Sequence, residues 1–308
     1  MDADRGAKWI DDRIDANPVV SDPSEYAALI DRLWDDGLPS GEKTGWPSVD
    51  ALYTVVPGQM TIVTGWPSSG KSGWVDALAV NLALQGWRFA VYSPENHPVE
   101  LHIAKLLQLV AGKPFGTGPT ERISKDELRE HLDEIRGWFG FINPKRNDGL
   151  DIAQILEAAG KHLEGHEKRG LIIDPWNELS HHRPEKLSET EYVSATLSGV
   201  RMWARETNTH VWIVAHPQKL RRMDNGELPV PTPDTISGSQ HWWNKADCAL
   251  TVWRDLSPEA TNEVQIYCQK VRFAHVGKTG VASLDFDRVT GRYREQRRSF
   301  TDVKGLKI

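Results

Sequence analysis

The residues Gly65-Trp66-Pro67-Ser68-Ser69-Gly70-Lys71-Ser72 satisfy the pattern G-x-x-x-x-G-K-S/T. The chemistry of that pattern is phosphate binding. Backbone amides must converge on an anion, so glycine stands where a side chain would intrude, and the helix that follows aims its positive end at the same point. Gly65, Ser68, Ser69, Gly70, Lys71 and Ser72 are therefore the expected nucleotide contacts. Lys71 supplies a point charge to the β- and γ-phosphates, and Ser72 offers a hydroxyl to Mg2+. ATP, or another nucleoside triphosphate, and Mg2+ are the expected cofactors.

Three further groups belong to the same chemistry. Leu171-Ile172-Ile173-Asp174 is an apolar run ending in aspartate, where a carboxylate that holds Mg2+ is needed. Glu95 follows the apolar run beginning at Arg88, so it is placed either to polarise a water or to sit in the first turn of the next helix. His216 closes the run HVWIVAH and poses a similar choice between a structural and a functional role.

Such residues need a scaffold that brings strand ends together. The hydrophobic pattern alternates between short apolar runs (60–65, 88–95, 140–143, 171–174, 210–216) and helix-period segments (73–85, 99–111, 124–139, 151–164, 190–206). That order predicts an α/β fold with a mostly parallel sheet covered by helices on both faces. After residue 246 only strand signals remain, so the expectation is antiparallel hairpins added to one sheet edge. Ahead of this domain, taken as residues 41–308, residues 1–40 read as an arm with one amphipathic helix at about 22–36.

Bulk composition narrows the setting. The 308 residues carry a net charge of −6, which excludes an overall basic nucleic-acid footprint and leaves only local basic loops. Two cysteines, Cys248 and Cys268, exclude a disulfide scaffold and fit a reducing compartment. No apolar run reaches membrane-spanning length and the first residues are polar and acidic. These features make a cytoplasmic location the expectation, with no membrane partner. Most of the 13 tryptophans are expected in cores and interfaces.

The motifs taken in order resemble a known family. Gly58-Gln59-Met60, the phosphate loop, Ser93-Pro94-Glu95-Asn96, Asp174 and Val214-Ala215-His216 are followed by Ser237-Gly238-Ser239, Asp247, Arg254, Lys270-Val271-Arg272-Phe273 and Thr290-Gly291. This series is similar to the superfamily 4 replicative DNA helicases, above all the helicase halves of bacteriophage primase-helicases and of the Twinkle type, with DnaB more distant. The resemblance implies a RecA-like P-loop ATPase core, a homo-oligomeric ring (a hexamer), DNA replication as the setting, and a primase or polymerase as further partners. It makes Glu95 the catalytic base and His216 a γ-phosphate sensor. Arg272 becomes an arginine finger given to the next subunit's nucleotide, with Lys270 beside it, while Arg254 and Phe286 lie around base and ribose. The helix at 22–36 would dock on an adjacent copy, and the implied setting is the cytoplasm of a bacterial or bacteriophage-infected cell ahead of a mitochondrion.

Single-stranded DNA is the implied substrate, held by phosphate contacts without sequence preference. The expected channel residues are Lys219, Arg221 and Arg222 in the long 217–236 connection, Arg183 and Lys186 after Asp174, and Ser239 and Lys245 in a third loop. His181-His182 lacks further ligands nearby and reads as loop. Ser237 stands where the family usually has arginine, Asn244 where it often has glutamine, and no stretch of these residues reads as a primase portion. The rival reading is a non-motor RecA-like recombination or regulatory ATPase. A P-loop kinase fits less well, because the strand-rich tail has no task in it.

Overall fold

The computed structural model describes residues 20–144, 149–218, 228–236, 240–257 and 260–296. Nine strands form one sheet: β1 Met60–Thr64, β2 Arg88–Tyr92, β3 Phe139–Phe141, β4 Arg169–Ile173, β5 Thr209–Val214, β6 Cys248–Trp253, β7 Glu263–Val271, β8 Gly280–Phe286 and β9 Tyr293–Glu295, in the order β3-β2-β4-β5-β1-β6-β7-β8-β9. The helices are α1 Ala27–Asp36, α2 Pro47–Asp50, α3 Lys71–Ala83, α4 Val99–Ala111, α5 Lys125–Trp138, α6 Ile152–Leu163, α7 Glu189–Glu206 and α8 His241–Lys245.

β3, β2, β4, β5, β1 and β6 are parallel, while β7, β8 and β9 are each antiparallel to the strand before. The tail therefore does extend one edge with antiparallel strands, but its first member differs from expectation: β6 pairs in parallel with β1. The long segment between β5 and β6 is the crossover that makes this possible.

Period-two alternation sends neighbouring strand residues to opposite faces. Phe89 and Val91 join Val63, Ile172, Trp212 and Leu250 under α3 and α4. Ala90 and Tyr92 join Ile62, Leu171, Ile173 and Ile213 under α6 and α7. Trp74, Trp87, Trp212 and Trp242 are among the largest fully buried side chains, as expected for most of the tryptophans. Each contributes roughly 1.5–3 kcal/mol or more by the burial of its ring.

Helix starts are set locally. Ser124 with Glu127, Asp151 with Gln154 and Ser188 with Glu191 form reciprocal capping boxes at α5, α6 and α7. At the start of α1, Asp22 caps the turn Pro23–Tyr26. No residue of α1 is buried, and Tyr26, Leu29, Ile30, Leu33 and Trp34 form an exposed apolar face. Among the described residues no helix is long and apolar enough to cross a membrane.

Candidate active site

Parallel register places the carboxyl ends of β1, β2, β4 and β5 along one edge of the sheet, the edge where open α/β folds collect ligands. The phosphate loop leaves β1 there. Gly70 caps α3 in the left-handed region, φ +94°, and Ser68 is also left-handed at φ 63°. A Cβ on Gly65 would lie 2.2 Å from the Val252 carbonyl oxygen, so only glycine fits where β1 turns against the end of β6. α3 begins at Lys71, two residues earlier than its apolar period suggests, because Gly70 completes the cap.

Lys71 is buried, and its Nζ donates to the carbonyls of Gly65 and Trp66 at 2.9 Å each. Burial pushes its pKa down to about 8, partly offset by the Asp174 and Glu95 carboxylates. Asp174 follows β4 directly and is 3% exposed. Burial raises its pKa to about 6; a hydrogen bond from Ser72 opposes this, and the charges of Asp76 and Glu95 add to it. One Asp174 oxygen, Oδ1, is buried without a hydrogen-bond partner, as is Ser69 Oγ. An orphaned carboxylate oxygen on a side chain that already meets the Ser72 hydroxyl is a donor set that suits a hard divalent cation.

Glu95 lies beyond the end of β2, exposed, and His216 Nε2 is 3.3 Å from its Oε1. The first-turn alternative for Glu95 does not hold, since α4 is capped by Pro98. The His216 amide donates to Asn177 Oδ1 at 3.1 Å, which ties the end of β5 to the loop after Asp174. Lys71, Ser72, Glu95, Asp174 and His216 thus converge. Arg254 follows β6 and Phe286 ends β8, both strands running with β1, so these two reach the same edge and line a cleft of about 320 Å³. A cleft of about 610 Å³ opens one step away, beyond β2, lined by Ser93, His97, His102 and Glu178.

Lys270 and Arg272 do not join them. β7 runs against β6, so its carboxyl end, Val271 opposite Cys248, lies at the level of Thr61, the start of β1. The phosphate loop is at the other end of that strand, roughly 13 Å or more away at about 3.3 Å per residue. Lys270 is tied down at that same end, where its Nζ donates to the Trp243 carbonyl.

The expected nucleic-acid residues divide. Lys219, Arg221, Arg222 and Ser239 lie outside the described residues. Arg183 and Lys186 are exposed in the loop after β4. Lys245 ends α8, half-buried. The third element is thus a short helix rather than a loop, fixed by fully buried Trp242, whose ring meets Trp176 edge-on at 5.0 Å. The arms of the 217–236 connection meet at its base, where Pro217 bridges Ile236 and the Gln218 amide donates to Thr235 O. On the returning arm, Trp66 Nε1 of the phosphate loop donates to the Pro229 carbonyl at 2.8 Å. Among the described residues no group of three His, Cys, Asp or Glu could hold a metal ion.

Sequence reasoning missed two supports of this edge. Tyr293 donates to the Gly70 carbonyl at 3.3 Å and packs against Phe286 and Trp46. Behind Asp174, Asp76 of α3 meets His102 of α4 at 2.9 Å, both buried. Burial lowers the pKa of His102, but the Asp76 charge and hydrogen bond outweigh it and the net shift is upward. A buried histidine in an apolar helix and a lone helical aspartate carry no local signal of being partners.

The raised Asp174 pKa couples stability to pH. From its ordinary value near 3.8 up to about 6, the native protein holds a proton that the unfolded chain has released. Asp174 therefore contributes stability at low pH that is lost as pH rises through about 6. A cation replacing the proton restores it, so Mg2+ with nucleoside diphosphate should raise Tm more near neutral pH than at about pH 5. Asp174→Asn should abolish that difference. Equal Mg2+ shifts at both pH values would show that Asp174 does not meet the ion.

Comparisons with known proteins give the family and the fold. The family described as DnaB-like helicase C terminal domain matches residues 41–295. The Arabidopsis thaliana protein named Twinkle homolog protein, chloroplastic/mitochondrial, is 40% identical over 278 residues, covering 88% of this chain and 38% of the relative. The chain thus spans well under half the length of that relative. Its name points to an organelle, which corrects the expected cytoplasmic, bacterial or bacteriophage location. That expectation leaned on cysteine usage, hydropathy and the bacteriophage side of the resemblance, none of which separates a bacterial cell from an organelle. A solved structure described as an ATPase domain superposes with a TM-score of 0.75 at 18% identity, covering 90% of this chain and all of that one (100%). A DnaB-like replicative helicase, described with its interactions with primase, gives 0.74 at 18%, covering 96% and 75%. The RadB recombinase gives 0.55 at 16%, covering 82% and 99%. At such identities these likenesses establish the RecA-like α/β fold. By the family match over residues 41–295, the chain belongs to the DnaB-like helicase C-terminal domain family.

Proposed function

We propose that this chain is the motor domain of a ring-forming replicative DNA helicase that hydrolyses ATP to move along single-stranded DNA and separate the duplex. One observation carries this reading furthest. The groups suited to bind and hydrolyse a triphosphate lie at one edge of the sheet and Arg272 at the other, so one copy cannot bring all of them to one nucleotide. A second copy, placed so that its β7 end meets the first copy's phosphate loop, completes the site. Repeating that head-to-tail contact generates a ring when the rotation closes.

In this reading the Lys71 ammonium leaves the Gly65 and Trp66 carbonyls for the β- and γ-phosphates. Ser72 and Asp174 hold Mg2+, which when bound neutralises charge on the phosphates. Glu95 orients and deprotonates the attacking water. His216, within reach of Glu95 and opening the 217–236 connection, reports the state of the γ-phosphate to that segment. Arg254 and Phe286 flank base and ribose. Arg272, with Lys270 behind it, stabilises the transition state in the neighbour. Lys219, Arg221, Arg222, Arg183, Lys186, Ser239 and Lys245 contact the DNA backbone, and α1 packs its apolar face on the adjacent copy. A primase or polymerase is a further partner in this reading. The test is strand separation on a forked duplex, which should require ATP and Mg2+.

A further inference from the structure

Asp247 is 1% exposed, and a buried carboxylate is tolerated only where charges and hydrogen bonds compensate it. Its compensation is unusually one-sided. Oδ2 accepts the Met60 amide at 3.1 Å. Oδ1 faces Arg272 Nε at 2.8 Å and Arg201 Nε at 3.4 Å as ion pairs rather than linear hydrogen bonds, with Arg205 at 3.9 Å. Lys270 is close enough to feel both Asp247 and Arg272. One carboxylate thus stands among four cations, and the part-exposed Arg205 and Arg272 leave the cluster open to an anion from outside.

The backbone joins in the same arrangement. The Asp247 amide donates to Met60 O at 2.9 Å, and the Arg272 amide donates to Asp247 O at 2.8 Å. Arg272 Nη2 donates to the carbonyls of Asn244 and Ala246, leaving Nη1 outside these contacts. Asp247 therefore clamps Arg272 by main chain and side chain at once, and anchors it to the first residue of β1. The same strand, buried throughout, carries the phosphate loop at its other end.

We propose that Asp247 is the positioning residue for Arg272. It fixes the guanidinium beyond the end of β7 by its Nε, at the head of a basic cluster with Arg201 and Arg205 that receives the polyphosphate of a second copy. β1 then links the phosphate loop of one site rigidly to the arginine that serves the next. This rests on the reading of Arg272 as acting in trans.

The test is a double-mutant cycle on assembled rings, reading kcat and KM for ATP in Asp247→Asn, Arg272→Ala and the double variant. A misplacement of about 1 Å lowers turnover on the order of 100-fold, so Asp247→Asn should lower kcat about 10- to 100-fold with KM within a few-fold. The double variant should be no slower than Arg272→Ala alone, because a positioning residue has nothing left to position. A wild-type kcat for Asp247→Asn beside an inactive Arg272→Ala overturns the positioning role alone, and so do losses that multiply. Normal turnover by Arg272→Ala overturns the trans reading and this proposal together. If Asp247→Asn fails to fold, Asp247→Glu enters the same cycle. It keeps the charge but displaces the carboxylate, and the same non-additivity is expected.

Discussion

In the assembled ring, Arg272→Ala should lower kcat for ATP hydrolysis by about three to five orders of magnitude, the range a trans arginine contributes to phosphoryl transfer. Nucleotide affinity should stay within a few-fold, since the phosphate loop with Lys71 and Ser72 is intact in every copy and a trans arginine acts chiefly on the charge that spreads in the transition state. Arg272→Lys should not rescue the rate, because lysine keeps the charge but loses the Nε that meets Asp247 and the fork that meets phosphate. Mixing inactive Arg272→Ala with inactive Lys71→Ala copies should restore part of the activity. Some interfaces then pair an intact phosphate loop with an intact arginine. Normal turnover by Arg272→Ala rings, or mixed rings as inactive as the parents, would place the arginine's role elsewhere.

Lys71→Ala should reduce kcat/KM for ATP about 10³-fold or more, through loss of the cation on the β- and γ-phosphates. The fold should survive. The native pKa of Lys71, about 8, lies below its ordinary value, so the native state disfavours the charged form and that cost is relieved as pH rises above about 8. Removing the ammonium therefore removes a burial cost as well as two hydrogen bonds to loop carbonyls. A Tm within a few degrees of wild type, with nucleotide binding lost, is the expected pair of results. Collapse of Tm together with activity would mark Lys71 as a structural residue instead.

These features are unequally legible in the sequence. The phosphate loop, Glu95, Asp174 and His216 announce themselves because each lies at or just beyond the end of an apolar strand, and strand and helix periods are local properties. Parallel register then brings them together. β6 differs from the antiparallel expectation because the run ADCALTVW states that it is a buried strand but not which strand it pairs with. α8 gives no signal of its own, since five residues are too short for a helical period. Tyr293 at Gly70, the Asp76–His102 pair and Asp247 at Met60 are associations through space, joining residues separated by 223, 26 and 187 positions. No spacing rule reaches across such distances. The expected location fails for a different reason, since it rests on bulk composition and on the bacterial and bacteriophage side of the resemblance rather than on any packed element.

Strand separation tests the motor reading most directly. Wild-type protein, given ATP and Mg2+ on a forked DNA duplex, should displace the complementary strand, and Lys71→Ala should displace none. ATP turnover by an assembled ring that never displaces a strand would contradict the motor reading and favour a RecA-like ATPase that acts on DNA or protein without unwinding.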